Sequence, residues 1–349
     1  MPSYVPLFAL TRGQTVESIH FGAIAVCDAQ GNLWWQAGNP DTVTFLRSTA
    51  KPFQALPFIE AGGAEHFGLT LKEVALLCAS HSGTDEHAAV AASIQRKAGV
   101  TEGDLMCGTH PPYHEETAQR LAKSGAPVTP NRHNCSGKHS GMLAFARLQQ
   151  APTADYINPQ HPVQQAILRT FAEMCSLPPD AVASGTDGCS APNFAVPLRN
   201  AALAYARLCD PSALPQSRAT ACRKITAAMC AHPEMVGGPG RFDTALMQIG
   251  KGKIISKAGA EGYQGIGLMP GALGPDSPAL GIAFKISDGD ARKKARSAVA
   301  VEILRQLGAL DAAQLEALHD FGPRFPIYNW RKLQVGEGYP IFAMQKITR

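Results

Sequence analysis

The order of patterns along the chain predicts an α+β fold, an antiparallel sheet drawn from both chain ends with a large helical insert between them. Two observations carry this. Strand-like stretches lie before residue 40 and again after residue 250, whereas the apolar positions between about 48 and 231 recur at helical spacing. Strands that are not interleaved with helices do not build βαβ units, so the economical solution pairs the two ends in one sheet and packs the insert against it. The expected division is 1–47 and 245–349 as sheet with flanking helices, and 48–244 as a mostly helical part carrying polar loops, all in one compact unit.

Taken in order, Ser18 to Cys27 reads as a strand, Asp28-Ala29-Gln30-Gly31-Asn32 as a turn, and Leu33 to Gln36 as the hairpin partner. Helical periodicity then places helices near 49–61, 70–79, 84–98, 114–124, 139–149, 161–176, 193–208 and 216–231, separated by Gly- and Pro-rich loops. Strand character returns at Lys253 to Ala258, Tyr263 to Leu268 and Leu280 to Ser287. Helices at about 290–307 and 311–318 follow, then a short apolar strand at Tyr339 to Met344. There is no internal repeat and no low-complexity linker.

Composition narrows the classes. A chain of 349 residues with 45% hydrophobic and 17% charged content is expected to be soluble and globular with ample core. Its net charge of +4 is mild. The one basic cluster, Arg292-Lys293-Lys294 with Arg296, fits the solvated face of an amphipathic helix better than a nucleic-acid surface. No run approaches the roughly 20 apolar residues of a membrane span. The start, Met-Pro-Ser-Tyr-Val-Pro, lacks the basic and apolar regions of a signal peptide. Nine cysteines without repeated spacing point to a reducing cytoplasm rather than a disulfide framework. Cys78, Cys175, Cys209, Cys222 and Cys230 fall in apolar helical patterns, as core filler does.

The chemistry centres on Phe45-Leu46-Arg47-Ser48-Thr49-Ala50-Lys51-Pro52. Ser48 and Lys51 stand three apart at a helix start, because Pro52 is tolerated only in a first turn. Residues at that spacing share a face, so the lysine amine can reach the serine hydroxyl. A serine needs an adjacent base to become a nucleophile, and a lysine is a base only where its charged form is disfavoured. Arg47 adds positive charge next door. Taken alone, S-x-x-K also fits a helix whose Ser48 is merely its cap.

Four further stretches add to it. Cys78-Ala79-Ser80-His81-Ser82-Gly83-Thr84-Asp85-Glu86-His87 joins two helices, with Thr84 or Asp85 as an N-cap and Ser80 as a second candidate serine. Ser256-Lys257-Ala258-Gly259 puts a lysine and a glycine on a late strand, like the K-T-G element of S-x-x-K enzymes. Asn131-Arg132-His133-Asn134-Cys135-Ser136-Gly137-Lys138-His139-Ser140-Gly141 and Gly185-Thr186-Asp187-Gly188-Cys189-Ser190 each carry one cysteine ahead of an apolar helix. Two thiolates would neutralise a zinc ion, and spacing nominates His133 or His139 as a third ligand. Two loop cysteines without a metal, or a nucleophilic Cys135/His pair, fit the same spacing. Other motifs fail. Gly137-Lys138 has Arg132 where a P-loop needs glycine, Gly262 to Gly267 reads G-x-x-G-x-G, and Pro111 and Pro112 prevent His110 and His114 from aligning on a helix.

Together these stretches resemble the Rhizobium-type L-asparaginases, also called asparaginase II or class 3, over nearly the whole chain. His133 to His139 and Gly185 to Cys189 are the most specific parts, and His232-Pro233-Glu234-Met235-Val236-Gly237-Gly238 is similar as well. The resemblance implies hydrolysis of L-asparagine to L-aspartate and ammonia on a fold like the serine β-lactamases and glutaminases. It implies two Ser–Lys pairs, Ser48 with Lys51 and Ser80 with Lys257, and zinc (Zn2+) held by Cys135, Cys189 and Lys138. Arg47, Asp187 and His139 are expected to touch the substrate, and a cytoplasmic homodimer is expected. Competing readings are a glutaminase or β-lactamase-like hydrolase on the same scaffold, and a zinc-stabilised amino-acid-binding protein without activity. The G-T-G-G-T type of motif of a Thr-nucleophile asparaginase is missing.

Overall fold

The computed structural model describes residues 3–291 and 294–347. It has the α+β architecture read from the sequence: antiparallel strands contributed by both chain ends, and helices between them. The chain divides into two units, one of residues 1–47, 196–210 and 258–349, the other of residues 48–195 and 211–257. The helix Leu198–Cys209 therefore goes with the terminal segments, and 245–257 goes with the helical part.

In the first unit the strands Phe325–Tyr328, Gln334–Pro340, Val5–Arg12, Thr15–Asp28, Leu280–Ile286 and Tyr263–Leu268 lie side by side in that order, each antiparallel to its neighbour. Leu33–Ala37 pairs with the second half of Thr15–Asp28. The strand Val5–Arg12 escapes a periodicity search because Leu7, Phe8, Ala9 and Leu10 are all buried, so the run shows no alternation. One last strand is expected at Tyr339 to Met344. The chain forms two there instead, Gln334–Pro340, where Gly336 lets the Thr11 carbonyl approach to 1.9 Å of where a Cβ would sit, and Gln345–Lys346. Helix Leu198–Cys209 packs on the sheet through a similar absence, since a Cβ on Gly281 would lie 1.8 Å from the Ala202 carbonyl oxygen.

The helix expected at 193–208 begins only at Leu198. Pro192–Pro197 is a strand paired with Ala183–Thr186, and Pro197, extended at ψ 144°, both ends the strand and precedes the helix. The helix expected from 290 starts at Ala295, because the Asp290 carboxylate accepts the backbone N–H groups of Lys294, Ala295 and Arg296. Arg292 and Lys293 of the basic cluster lie outside the described residues.

The second unit is built around the helix Lys51–Glu60, whose residues Lys51 to Ile59 are all buried. It packs against Pro162–Met174, Gln216–Ala231 and Ser136–Leu148, with Phe53 edge-on to Phe171 and Phe58 edge-on to Phe145. Each buried phenylalanine contributes about 1.5–3 kcal/mol. Helix Ser136–Leu148 begins three residues before its expected start. Gly137 and Gly141, one turn apart, form the face it lays on helix Leu71–Leu77. A Cβ on Gly137 would stand 2.1 Å from the Leu76 carbonyl oxygen, which is backbone and cannot swing aside. Gly137→Ala is expected to lower stability by about 1–3 kcal/mol or more, read as a lower urea midpoint at unchanged slope. A wild-type midpoint would mean that the two helices part without cost.

Candidate active site

Ser48 lies in a short 3-10 turn, Arg47–Ala50, that runs straight into the helix at Lys51. Lys51, the first residue of that helix, follows Ser48 by three positions. Ala50 holds the N-cap position and no side chain caps the helix, so Ser48 is not its cap. The chain enters this turn through a left-handed residue, Arg47, at φ 52°. A side chain in that region costs on the order of 1–3 kcal/mol, and such outliers collect at functional sites. The Arg47 guanidinium stands 4.0 Å from the Glu261 carboxylate.

Lys51 is wholly buried, and its amine has three partners. It donates to the Ala79 carbonyl at 2.5 Å, the Ser80 Oγ at 2.9 Å and the Asn134 carbonyl at 3.3 Å. Three acceptors match the three hydrogens of an ammonium. The same three also suit a neutral amine, because a hydroxyl can reverse its role and donate. The structure thus brings Lys51, Ser80 and the residue before Cys135 together. Ser80 takes this hydrogen bond from the lysine that the resemblance pairs with Ser48. Lys257 is wholly buried on the strand Ile254–Ala258. Burial pushes the Cys78 thiol up to about 12, against the pull of the Lys257 and Lys51 charges.

The loop that carries Ser80 is pinned from both sides. Ser80 N–H donates to the Val236 carbonyl at 2.9 Å, and Ser82 Oγ donates to the Gly237 carbonyl at 2.9 Å. Gly238, at φ 110°, admits Ser82 because a Cβ there would fall 2.4 Å from its Oγ. On the other side His81 Nδ1 accepts the Gly83 N–H and Nε2 lies 2.9 Å from Ser136 Oγ, tying the loop to the start of helix Ser136–Leu148. Thr84 is the N-cap of the next helix, closed by His87 in a capping box.

The second group is made of sulfur and nitrogen. Cys189 stands on the turn between the strands Ala183–Thr186 and Pro192–Pro197, closed by Asp187 N–H to the Ala191 carbonyl at 2.9 Å. Lys138 Nζ lies 3.0 Å from Cys189 Sγ, and Asp187 Oδ2 lies 3.6 Å from the same sulfur. Cys135, at the N-cap of the helix that carries Lys138, donates its thiol to Asn134 Oδ1 at 3.4 Å. The neighbouring Cys135 thiol, together with the Lys138 charge and against burial, holds the Cys189 thiol far below the usual range. The Cys189 sulfur and burial push Cys135 up. Burial opposes the charge on Lys138, but the two sulfurs and Asp187 outweigh it and raise the amine. Cys135, Lys138 and Cys189 are all more than nine-tenths buried. Among the described residues no group of three or more His, Cys, Asp and Glu side chains is placed to hold a metal, so a three-donor site here needs the lysine amine. Two thiolate sulfurs and a nitrogen that has lost its proton are sulfur and nitrogen donors of the kind zinc takes, and the Lys138 amine already meets the Cys189 sulfur. They fit it.

Histidines back both groups. Burial holds His81 and His87 below the ordinary imidazole range and brings His133 down to about 3. In the unfolded chain the same rings take up protons near pH 6.5. Below that pH the unfolded state binds more protons than the folded one, so stability falls as pH falls through 6.5 towards about 3 for His133. Urea midpoints are expected to drop steadily between pH 7.5 and pH 5, a window above the range where the carboxylates titrate. A flat profile there would contradict the buried neutral rings.

Sequence reasoning missed Tyr156, whose hydroxyl stands 2.6 Å from His139 Nδ1, and Asp243, whose Oδ1 accepts from Ser256 Oγ at 2.7 Å beside Lys257. Neither sits in a motif, and only the folded chain brings them near. Among the remaining cysteines, Cys175, Cys209 and Cys222 are buried as expected, while Cys230 is half-exposed.

Comparison with known proteins adds a family and a set of distant folds. The profile of the family described as L-asparaginase II matches residues 8–340. No curated protein matches the chain. Among solved structures, a probable glutaminase from Bacillus subtilis, complexed with 6-diazo-5-oxo-L-norleucine, is 11% identical, covering 82% of this chain and 84% of its own, with a TM-score of 0.38. A protein named Mglu, in its native form, is 13% identical over 86% of this chain and 64% of its own, with a TM-score of 0.40. A Bacillus glutaminase in 4.3 M NaCl is 11% identical over 82% and 90%, with a TM-score of 0.38. Scores this low leave the likeness to these three at a distance from which no residue can be transferred.

Proposed function

The chain belongs to the L-asparaginase II family, and from that premise we propose that this amidohydrolase converts L-asparagine to L-aspartate and ammonia, with Ser48 as the nucleophile. The observation that carries the chemistry is the Lys51 amine, buried and 2.9 Å from the Ser80 hydroxyl, three residues after Ser48. As an uncharged amine, Lys51 keeps its two hydrogens on the Ala79 and Asn134 carbonyls and turns its lone pair to a hydroxyl. Ser48 attacks the side-chain amide carbon as its proton passes to Lys51, directly or through Ser80 with Lys257 behind it. The oxyanion is stabilised by a backbone N–H at the helix start. A lysine returns a proton to the leaving ammonia, and water then cleaves the acyl-enzyme. Asp187 holds the substrate's α-ammonium and Arg47 its α-carboxylate.

Cys135, Lys138 and Cys189 would hold zinc, which when bound supplies a fixed positive charge and ties the turn of Cys189 to the helix of Lys138. Binding must strip protons from Cys135 and Lys138, so metal uptake strengthens as pH rises. The family resemblance also brings a homodimer and a cytoplasmic place into this proposal. No helix among the described residues is long and apolar enough to cross a membrane.

Ammonia release from L-asparagine and from L-glutamine, with zinc added or chelated, tests the reading. Asparagine turnover well above glutamine turnover is expected, together with zinc in freshly purified protein. Faster glutamine turnover would make it a glutaminase, hydrolysis of a chromogenic β-lactam would make it a penicillin-recognising enzyme, and no ammonia from either amide would leave a binding protein.

A further inference from the structure

The His81 ring sits in a chain of hydrogen bonds whose direction is set by its two ends. At one end the Gly83 backbone N–H, which can only donate, reaches His81 Nδ1 at 3.1 Å. At the other the Asn131 carbonyl, which can only accept, takes the Ser136 hydroxyl hydrogen at 2.9 Å. Ser136 Oγ is left with lone pairs for His81 Nε2, 2.9 Å away, so that nitrogen carries the ring hydrogen. His81 and Ser136 are wholly buried, and water does not replace a bond lost there. The far end is itself held, because Asn131 Oδ1 accepts from Gln95 Nε2 at 2.6 Å and its N–H donates to Glu102 at 2.7 Å. The Lys51 amine lies between the two segments this chain joins. Its partners are the Ala79 carbonyl and Ser80 Oγ on one and the Asn134 carbonyl on the other. The spacing of the segments therefore sets whether Ser80 and Asn134 both reach the amine. Arg132 joins them as well, donating to the Gly83 carbonyl at 3.1 Å and to the exposed Asp85 carboxylate at 2.6 Å, whereas the His81–Ser136 bond is made wholly inside.

We infer that His81, fixed as its Nε2–H tautomer between Gly83 and Ser136, is a positioning residue: it holds the Ser80 segment against the start of helix Ser136–Leu148 and so keeps the Ser80 hydroxyl on the Lys51 amine. Only the neutral ring can do this, since an imidazolium has no lone pair for the Gly83 N–H. Burial, with the His87 and Lys51 charges, disfavours the ion. That a misplaced Ser80 slows turnover rests on the proposed passage of the Ser48 proton to Lys51 through Ser80.

The test compares the full chain as wild type, His81→Phe, His81→Gln and Ser136→Ala. Crystal structures report the distance from Ser80 Oγ to Lys51 Nζ, ammonia release reports kcat and KM, and a thermal melt reports folding. Long-range 1H–15N spectra of 15N-histidine-labelled wild type, with His81 assigned by its loss in His81→Gln, should show the ring hydrogen on Nε2. In His81→Phe the distance is expected to open beyond hydrogen-bond reach, with kcat for asparagine down about 10²-fold and KM kept. Ser136→Ala removes only the hydroxyl at the far end of the bond. It should move distance and kcat the same way by less, and it carries the test if His81→Phe does not fold. His81→Gln, whose amide N–H can meet Ser136 Oγ, should recover much of the lost kcat. A protonated Nδ1 in wild type overturns the inference. So does a folded His81→Phe or Ser136→Ala protein that keeps the wild-type distance, or one whose melting point falls while kcat stays, because the ring would then only pack. A raised KM at wild-type kcat overturns it too, since the ring would then serve substrate binding. A wild type that releases no ammonia from either amide sinks the amidohydrolase reading, while the distance and the spectra still decide the role of His81.

Discussion

Ser48→Ala is expected to lower asparagine turnover by on the order of 10³-fold or more while the fold is kept. The hydroxyl is the only group removed. Ser48 is half-buried, it does not cap the helix that follows, and the 3-10 turn around it is held by backbone hydrogen bonds that alanine also makes. The thermal midpoint should stay within about 2 °C of wild type. Ammonia release under saturating asparagine, beside a thermal melt of the same sample, reads both numbers. Turnover near wild type would remove Ser48 from the chemistry and leave Ser80, bonded to the buried Lys51 amine, as the candidate nucleophile.

Lys51→Met is expected to cost both turnover and stability, and the two losses have separate causes. The side chain is wholly buried and methionine is close to it in length, so the apolar stem is replaced with little cavity. What goes is the amine. The Ala79 and Asn134 carbonyls lose their donor inside the unit, at about 1–3 kcal/mol for each buried group left unpaired. The proton acceptor goes with it, worth about 10²–10⁴ in turnover. Urea unfolding and kcat, both measured on protein confirmed folded by circular dichroism, separate them. Ser80→Ala is the control, since it removes one acceptor of Lys51 and leaves the amine and both carbonyls paired. A folded Lys51→Met enzyme with wild-type kcat would hand the base's role to Lys257.

Much of this was legible in residue order. Strand-like ends and a helical middle give the α+β class, because the period of two and the period of 3.6 are both written in the apolar positions. The polar loops around Ser48, Ser80, Cys135 and Cys189 stand out as stretches too rich in glycine, serine and cysteine for ordinary helices. Gly137 was read ahead of a helix near 139–149, but it lies inside the helix and with Gly141 forms a packing face, since a missing side chain looks the same in sequence whether it frees a turn or admits a neighbour. The strand Val5–Arg12 was missed for a related reason, because a strand buried on both faces has no alternation to read.

Sequence by itself determined which side chains are able to attack, accept a proton or bind a metal and in what order they come, since that capacity is set by side-chain identity. Tertiary structure alone decided who meets whom. It gave the Lys51 amine to Ser80, set Lys138 against Cys189, and closed His139 behind Tyr156. These contacts span 29, 51 and 17 residues of chain. No local propensity encodes such a pairing. It is fixed only when burial removes water and each polar atom must find its partner inside the protein.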